Sequence, residues 1–130
     1  MTLTVMPNGY GTFIVDNLAE AKESAYTVVI TTDSGKTFTT KTDAQVFTLP
    51  SIAIGSTVTF VNMAADGDAK LSISPATLDA ITYAGSQVDD KDLINTKATA
   101  KQGDFVTLAS FGSATAWQVV AVRGIWAKEA

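Results

Sequence analysis

Short runs of β-branched and aromatic residues, each cut off by a turn former, confine this chain to sheet structure. Thr57-Val-Thr-Phe-Val-Asn62 is the clearest run. Val58 and Phe60 fall on one side of an extended chain, Thr57 and Thr59 on the other. Asp66-Gly67 supplies a turn, and Lys70-Leu-Ser-Ile-Ser74 resumes the alternation, with Leu71 and Ile73 inward, until Pro75. These two segments are expected to pair as a hairpin. Upstream, Tyr26 to Thr32, Thr37 to Thr40 and Gln45 to Leu49 predict a hairpin or meander, with Asp33-Ser-Gly35 as a turn and Pro50 as a stop. Downstream, Phe105 to Ala109 and Trp117 to Arg123 predict two further strands. Gly124 marks a bulge or bend, and Ile125-Trp126 extends the last strand before a polar tail. Residues 76–100 read as an excursion with one or two short strands and a single helical turn.

The N-terminal part differs. Thr2 to Val5 and Thr12 to Val15 are β-like pieces around Pro7-Asn8-Gly9, whereas Asn17 to Ala25 is the only stretch with helix propensity. Nine residues make a marginal helix, so this stretch reads equally as an arm that orders on a partner. The expected organisation is an N-terminal arm or extension over residues 1–25 and a β domain over 26–130. The expected fold is all-β: a small β-sandwich or β-tulip-like barrel of short antiparallel strands.

A chain of 130 residues with 46% hydrophobic content suits one core, with a folded surface of roughly 6,600 Å². Charged residues make up only 17%, against about 25% in an average domain. Such a chain covers its outside with Thr, Ser, Ala and Gly, or hides part of it against a partner. The net charge of −4 and the absence of a basic cluster exclude the counterion-displacing surface of a nucleic-acid binder. No run approaches the ~20 apolar residues of a membrane span, and the first residues lack the pattern of a secretory signal.

The chain has no histidine and no cysteine, which removes imidazole catalysis, thiolate zinc sites and disulfides. Asp33, Asp66, Asp68, Asp89, Asp90, Asp92, Asp104 and Glu129 fall in turns or in the tail and read as solvated acids. They form no nominated glycosidase pair. Asp66-Gly-Asp68 and Asp89-Asp-Lys-Asp92 lack the spaced ligands of an EF-hand. The expectation is therefore no enzyme, no cofactor and no metal. Trp117 and Trp126 lie nine residues apart, facing opposite sides of one uninterrupted strand or the same side if Gly124 bulges; each reads as core or interface.

The C-terminal half carries a distinctive text: Ile52-Ala-Ile-Gly-Ser-Thr-Val-Thr-Phe-Val-Asn62, Leu71-Ser-Ile-Ser-Pro75 and Asp92-Leu-Ile-Asn-Thr-Lys-Ala-Thr-Ala100. Gly103-Asp-Phe-Val106 and Trp117-Gln-Val-Val-Ala-Val-Arg-Gly-Ile-Trp-Ala127 continue it. Over roughly residues 44 to 128 it resembles small virion proteins of tailed bacteriophages, most of all head decoration (capsid cement) proteins. The resemblance implies a structural protein on the outer capsid surface of the virion, made in the host cytoplasm. It would clamp capsid subunits without covalent bonds. Its implied partners are the major capsid protein and copies of itself, a trimer ahead of a dimer. The candidate interface comprises the arm around Tyr10 and Phe13 and the apolar end at Ile125 and Trp126. The alternative is a tail-associated or receptor-binding β module that contacts host glycans through an exposed aromatic platform.

Overall fold

The computed structural model describes residues 2–5, 13–16, 19–53, 55–112 and 115–130, the first two segments as backbone alone. Strand β1 (Thr2–Val5) pairs antiparallel with β2 (Phe13–Asp16) in a two-stranded sheet of their own. The remaining strands fill two sheets. The six-stranded sheet contains β3 (Ala19–Ala21), β5 (Thr37–Thr40), β7 (Thr57–Asn62), β9 (Ala80–Thr82), β11 (Asp104–Ala109) and β12 (Ala116–Arg123), in the order β3-β5-β7-β11-β12-β9. The five-stranded sheet contains β4 (Tyr26–Thr27), β6 (Gln45–Thr48), β8 (Leu71–Ser74), β10 (Leu93–Asn95) and β13 (Trp126–Lys128), in the order β13-β10-β8-β6-β4. Helical content is slight: α1 (Ile30–Asp33) and a 3-10 turn at Lys97–Thr99. The all-β expectation holds.

Alternation decides the interior. In β5, β7 and β11 the side chains of Phe38, Val58, Phe60, Val106 and Leu108 are buried, while Thr37, Thr39, Thr59 and Thr107 face outward. Thr59 and Thr107 share a hydrogen bond of 2.8 Å on that outer face. Threonine thus takes the place of charge on the surface, as the low charge content requires. Phe47 and Leu71 of the other sheet complete the same core, with the Phe47 and Phe60 rings 4.8 Å apart between their centroids. The accessible surface of 6759 Å² lies close to the one-core expectation.

Strand pairing departs from the sequence reading. β7 and β8 are not a hairpin: they lie in different sheets. β3, β5 and β7 pair in parallel on one side of the core, and β4, β6 and β8 pair in parallel on the other. Each link from β3 to β8 therefore crosses between sheets. A hairpin and such a crossing both bury one face of each strand, so period-two alternation cannot separate them. Five of the ten pairings among the described residues are parallel, which corrects the expected antiparallel arrangement.

Three local differences have clear causes. The strand expected through Thr32 stops at Thr27, because the Asp33 carboxylate accepts from Tyr26 Oη (2.6 Å) and from the Val29 amide (2.8 Å) and winds the intervening chain into one helical turn. The helix-prone stretch instead contributes β3, held parallel to β5. At the other end, Gly124 (φ +96°) bends the chain from one sheet into the other, so Ile125-Trp126 does not extend β12. Trp117 and Trp126 consequently enter one core from opposite sheets. The expected polar tail is strand β13, paired with β10.

Beneath Gly124 lies a buried polar chain. Asn62 Nδ2 donates to Asn95 Oδ1 (2.9 Å), and Asn95 Nδ2 donates to Asp104 Oδ2 and to the Ile125 carbonyl (both 3.1 Å). Asn62 also donates to Ala69 O (3.0 Å), and Asp104 accepts from the Lys101 amide (2.9 Å). The network ties the 63–70 link, the 101–104 turn and the Gly124 bend together. A Cβ on Gly124 would collide with the Asp104 carboxylate. Asp33 and Asp104 are thus buried and bonded, not solvated turn acids.

Candidate interaction surface

Strand β12 is covered along only part of its length. On one side it pairs with β11 over Gln118–Arg123, with an irregularity between Thr107 and Leu108 that leaves Val120 as the extra residue. On the other side, among the described residues, β9 pairs with it over Ala116–Gln118 alone. After Thr82 the chain reverses: Tyr83 and Ser86 exchange backbone hydrogen bonds of 3.1 and 2.9 Å around Ala84 (φ 51°) and Gly85 (φ 81°). Two consecutive positive-φ residues make the tight hairpin turn whose twist suits flanking strands. Alanine in the first of those positions is unusual, because a side chain disfavours positive φ.

The turn is anchored. Gln118 Nε2 donates to Thr82 Oγ1 (3.4 Å), and Thr82 Oγ1 donates to Gln87 Oε1 (2.7 Å). Lys128 Nζ donates to the Ile81 (2.9 Å) and Lys91 (2.8 Å) carbonyls, which joins the edges of the two sheets. Burial pushes the Lys128 ammonium below its usual range.

Where β9 leaves, a groove of about 450 Å³ opens between Thr82, Tyr83 and Ala84 on one wall and residues 118–122 on the other. Val122 pairs with inward-facing Val106, yet 41% of its surface is exposed; Val120 is 46% exposed and Ile125 61%. The result is an apolar strand edge beside an apolar groove, a form that recognises an extended backbone. An unbroken apolar run, Val119-Val-Ala-Val122, ordinarily signals a strand buried on both faces. The early departure of β9 exposes it here, and no sequence pattern announces that.

The candidate interface residues separate in space. Ile125 is exposed, two residues past the end of β12. Trp126 is 5% exposed, its indole donating to Arg123 O (2.9 Å), so it belongs to the core. Tyr10 lies outside the described residues, and Phe13 is described as the backbone of β2.

A second cluster lies at the far edge of the six-stranded sheet. Lys36 Nζ sits 3.0 Å from Glu20 Oε2 and 3.4 Å from Asp33 Oδ1, and Glu20 also pairs with Lys22 (3.1 Å). Lys22 lies over the Tyr26 ring at 4.1 Å. Burial and the hydrogen bond to Asp33 push the Tyr26 phenol up to about 12. Burial alone would raise Asp33, but the Tyr26, Val29 and Lys36 donors outweigh it and hold the carboxyl below its usual value. Every charge here has an opposite, and the cluster binds β3, α1 and β5 together as a latch.

Among the described residues no three acidic side chains converge on a cation position. Asp66 accepts from the Gln102 amide (2.9 Å), and Asp92 is raised above its usual value by burial. No protein-family model matches this chain, and no curated protein matches it.

Proposed function

We propose that this chain is a non-catalytic structural protein of a phage virion, which binds the outer capsid surface and stabilises the shell by clamping its subunits. The observation that carries this reading is the apolar, exposed pair Val120 and Val122 beside the groove that opens where β9 ends. A chain with 17% charged residues presents an apolar edge where a partner covers it. The resemblance of residues 44 to 128 to decoration proteins supports the same partner, the major capsid protein. Many copies on one shell make each weak contact effective through avidity.

The test is co-sedimentation of purified protein with expanded phage capsids that lack it. The expected result is saturable binding at a fixed ratio to the major capsid protein. Absence of binding by folded protein would overturn the reading. Affinity for surface polysaccharide in its place would favour the tail-associated alternative. That alternative called for an exposed aromatic platform; both tryptophans are buried in the core, and Phe111 is the exposed large aromatic among the described residues.

A further inference from the structure

The outer face of the six-stranded sheet carries almost no charge. Its strands hold three charged residues, Glu20, Asp104 and Arg123. Glu20 stands beside inward-facing Phe38, and Asp104 is buried in the network under Gly124. Arg123 is therefore the one charge that faces outward. Strand register sets Thr37, Thr59, Thr107 and Ala121 side by side across β5, β7, β11 and β12. The next row runs Thr39, Val61, Phe105 and Arg123. Each of these keeps part of its surface accessible. β7 and β11 thus turn Val61 and Phe105 outward as neighbours, where a solvated face alternates to polar residues. Charge lies instead in the links at the end of the sheets, where Lys97 pairs with Asp43 (2.6 Å) and Lys101 with Asp66 (3.7 Å).

We propose that this face packs against the same face of a second copy about a two-fold axis. With a net charge of −4, two copies repel one another, and a face without an outward acid is where they can meet. At its centre the Thr59 and Thr107 hydroxyls already bond to each other (2.8 Å), so water can leave them at little cost. Rows of β-branched side chains at a strand spacing of about 4.8 Å interdigitate with equivalent rows on a sheet stacked about 10 Å away. The five strands from β3 to β12 make a face about 24 Å wide, and β7 and β11 are about 20 Å long. Face-to-face packing then buries on the order of 1,000 Å² over the two copies, the lower limit for a specific interface. Such an area gives a weak dimer, with a dissociation constant on the order of 10 µM. The contact is isologous and closes with two copies. It is separate from the β12 groove and is tested without capsids.

Sedimentation velocity of the full-length protein from about 1 µM to about 1 mM brackets the expected constant. The expected result is a monomer at the low end and a dimer at the high end. Thr59→Glu and Thr59→Lys each place a charge at the centre of the face and should weaken the dimer at least about tenfold, with an unchanged circular-dichroism spectrum. Thr39→Lys repeats the test in the neighbouring row. An equimolar mixture of the Thr59→Glu and Thr59→Lys chains should dimerise again, because opposite charges meet across the face. Wild-type protein that stays monomeric throughout would overturn the proposal, whether the face is bare or covered by the chain's own first residues. So would a dimer that the charge variants leave intact, or a mixture that associates no better than its components. Capsid binding by a monomeric variant would leave the docking role standing and remove only the dimer.

Discussion

β12 runs between two regions that reverse the usual distribution of side chains. At the Gly124 end, Asn62, Asn95 and Asp104 are buried where apolar residues would be expected, and each has its partners within the protein. Along the β9 side, Val120 and Val122 are exposed where polar residues would be expected, and among the described residues no strand pairs with the backbone edge beyond Gln118. Buried and satisfied polar groups specify one arrangement of the loops they join. An apolar open edge leaves a strand addition incomplete. The first region holds the fold, and under the proposed function the second is where the protein meets its partner.

Substitutions should separate the two. The largest effect is expected at Gly124: Gly124→Ala adds a Cβ at positive φ and drives it against Asp104. It should cost about 4 kcal/mol in urea unfolding, combining left-handed strain with a broken network. Asn95→Ala should cost about 2–4 kcal/mol, because Asp104, Asn62 and the Ile125 carbonyl each lose a buried partner. Near-wild-type stability in either variant would break the contrast from the structural side.

The latch should show itself through pH. Asp33 lies below its usual value when folded, so its stabilisation is present above about pH 4 and fades as pH falls through the lower folded value. Asp33→Asn should therefore flatten the acid limb of the stability profile. Tyr26 is raised, so its contribution is complete below about pH 10 and is lost as pH rises toward about 12. Tyr26→Phe should remove that alkaline loss. Thermal melts across both limbs check the two signs.

The distinctive sequence text explains why the fold was more legible than the site. Asn62, Asn95, the Gly103-Asp104 pair and the Arg123-Gly-Ile-Trp126 ending, widely separated along the chain, converge on the buried network. What the text encodes is therefore loop locking, and the all-β class and most strand positions followed from alternation. Strand partners did not, because a crossing link and a hairpin leave the same pattern. The open edge was hidden for a different reason. Val119 to Val122 reads as core, and only the turn at Ala84-Gly85, which ends β9 early, exposes it. Trp126 misled in the opposite sense: a large aromatic near the end of the chain looked like an anchor, but the Gly124 bend places it inside.

The most direct measurement compares stability with capsid binding in one variant, Val120→Ser/Ile125→Ser. Both side chains are exposed, so the unfolding free energy in urea should change by less than about 1 kcal/mol in total. Binding to expanded capsids should fall by at least about tenfold if this edge is the docking surface. Unchanged capsid binding by the stable variant would contradict the division between a region that holds the fold and a region that binds.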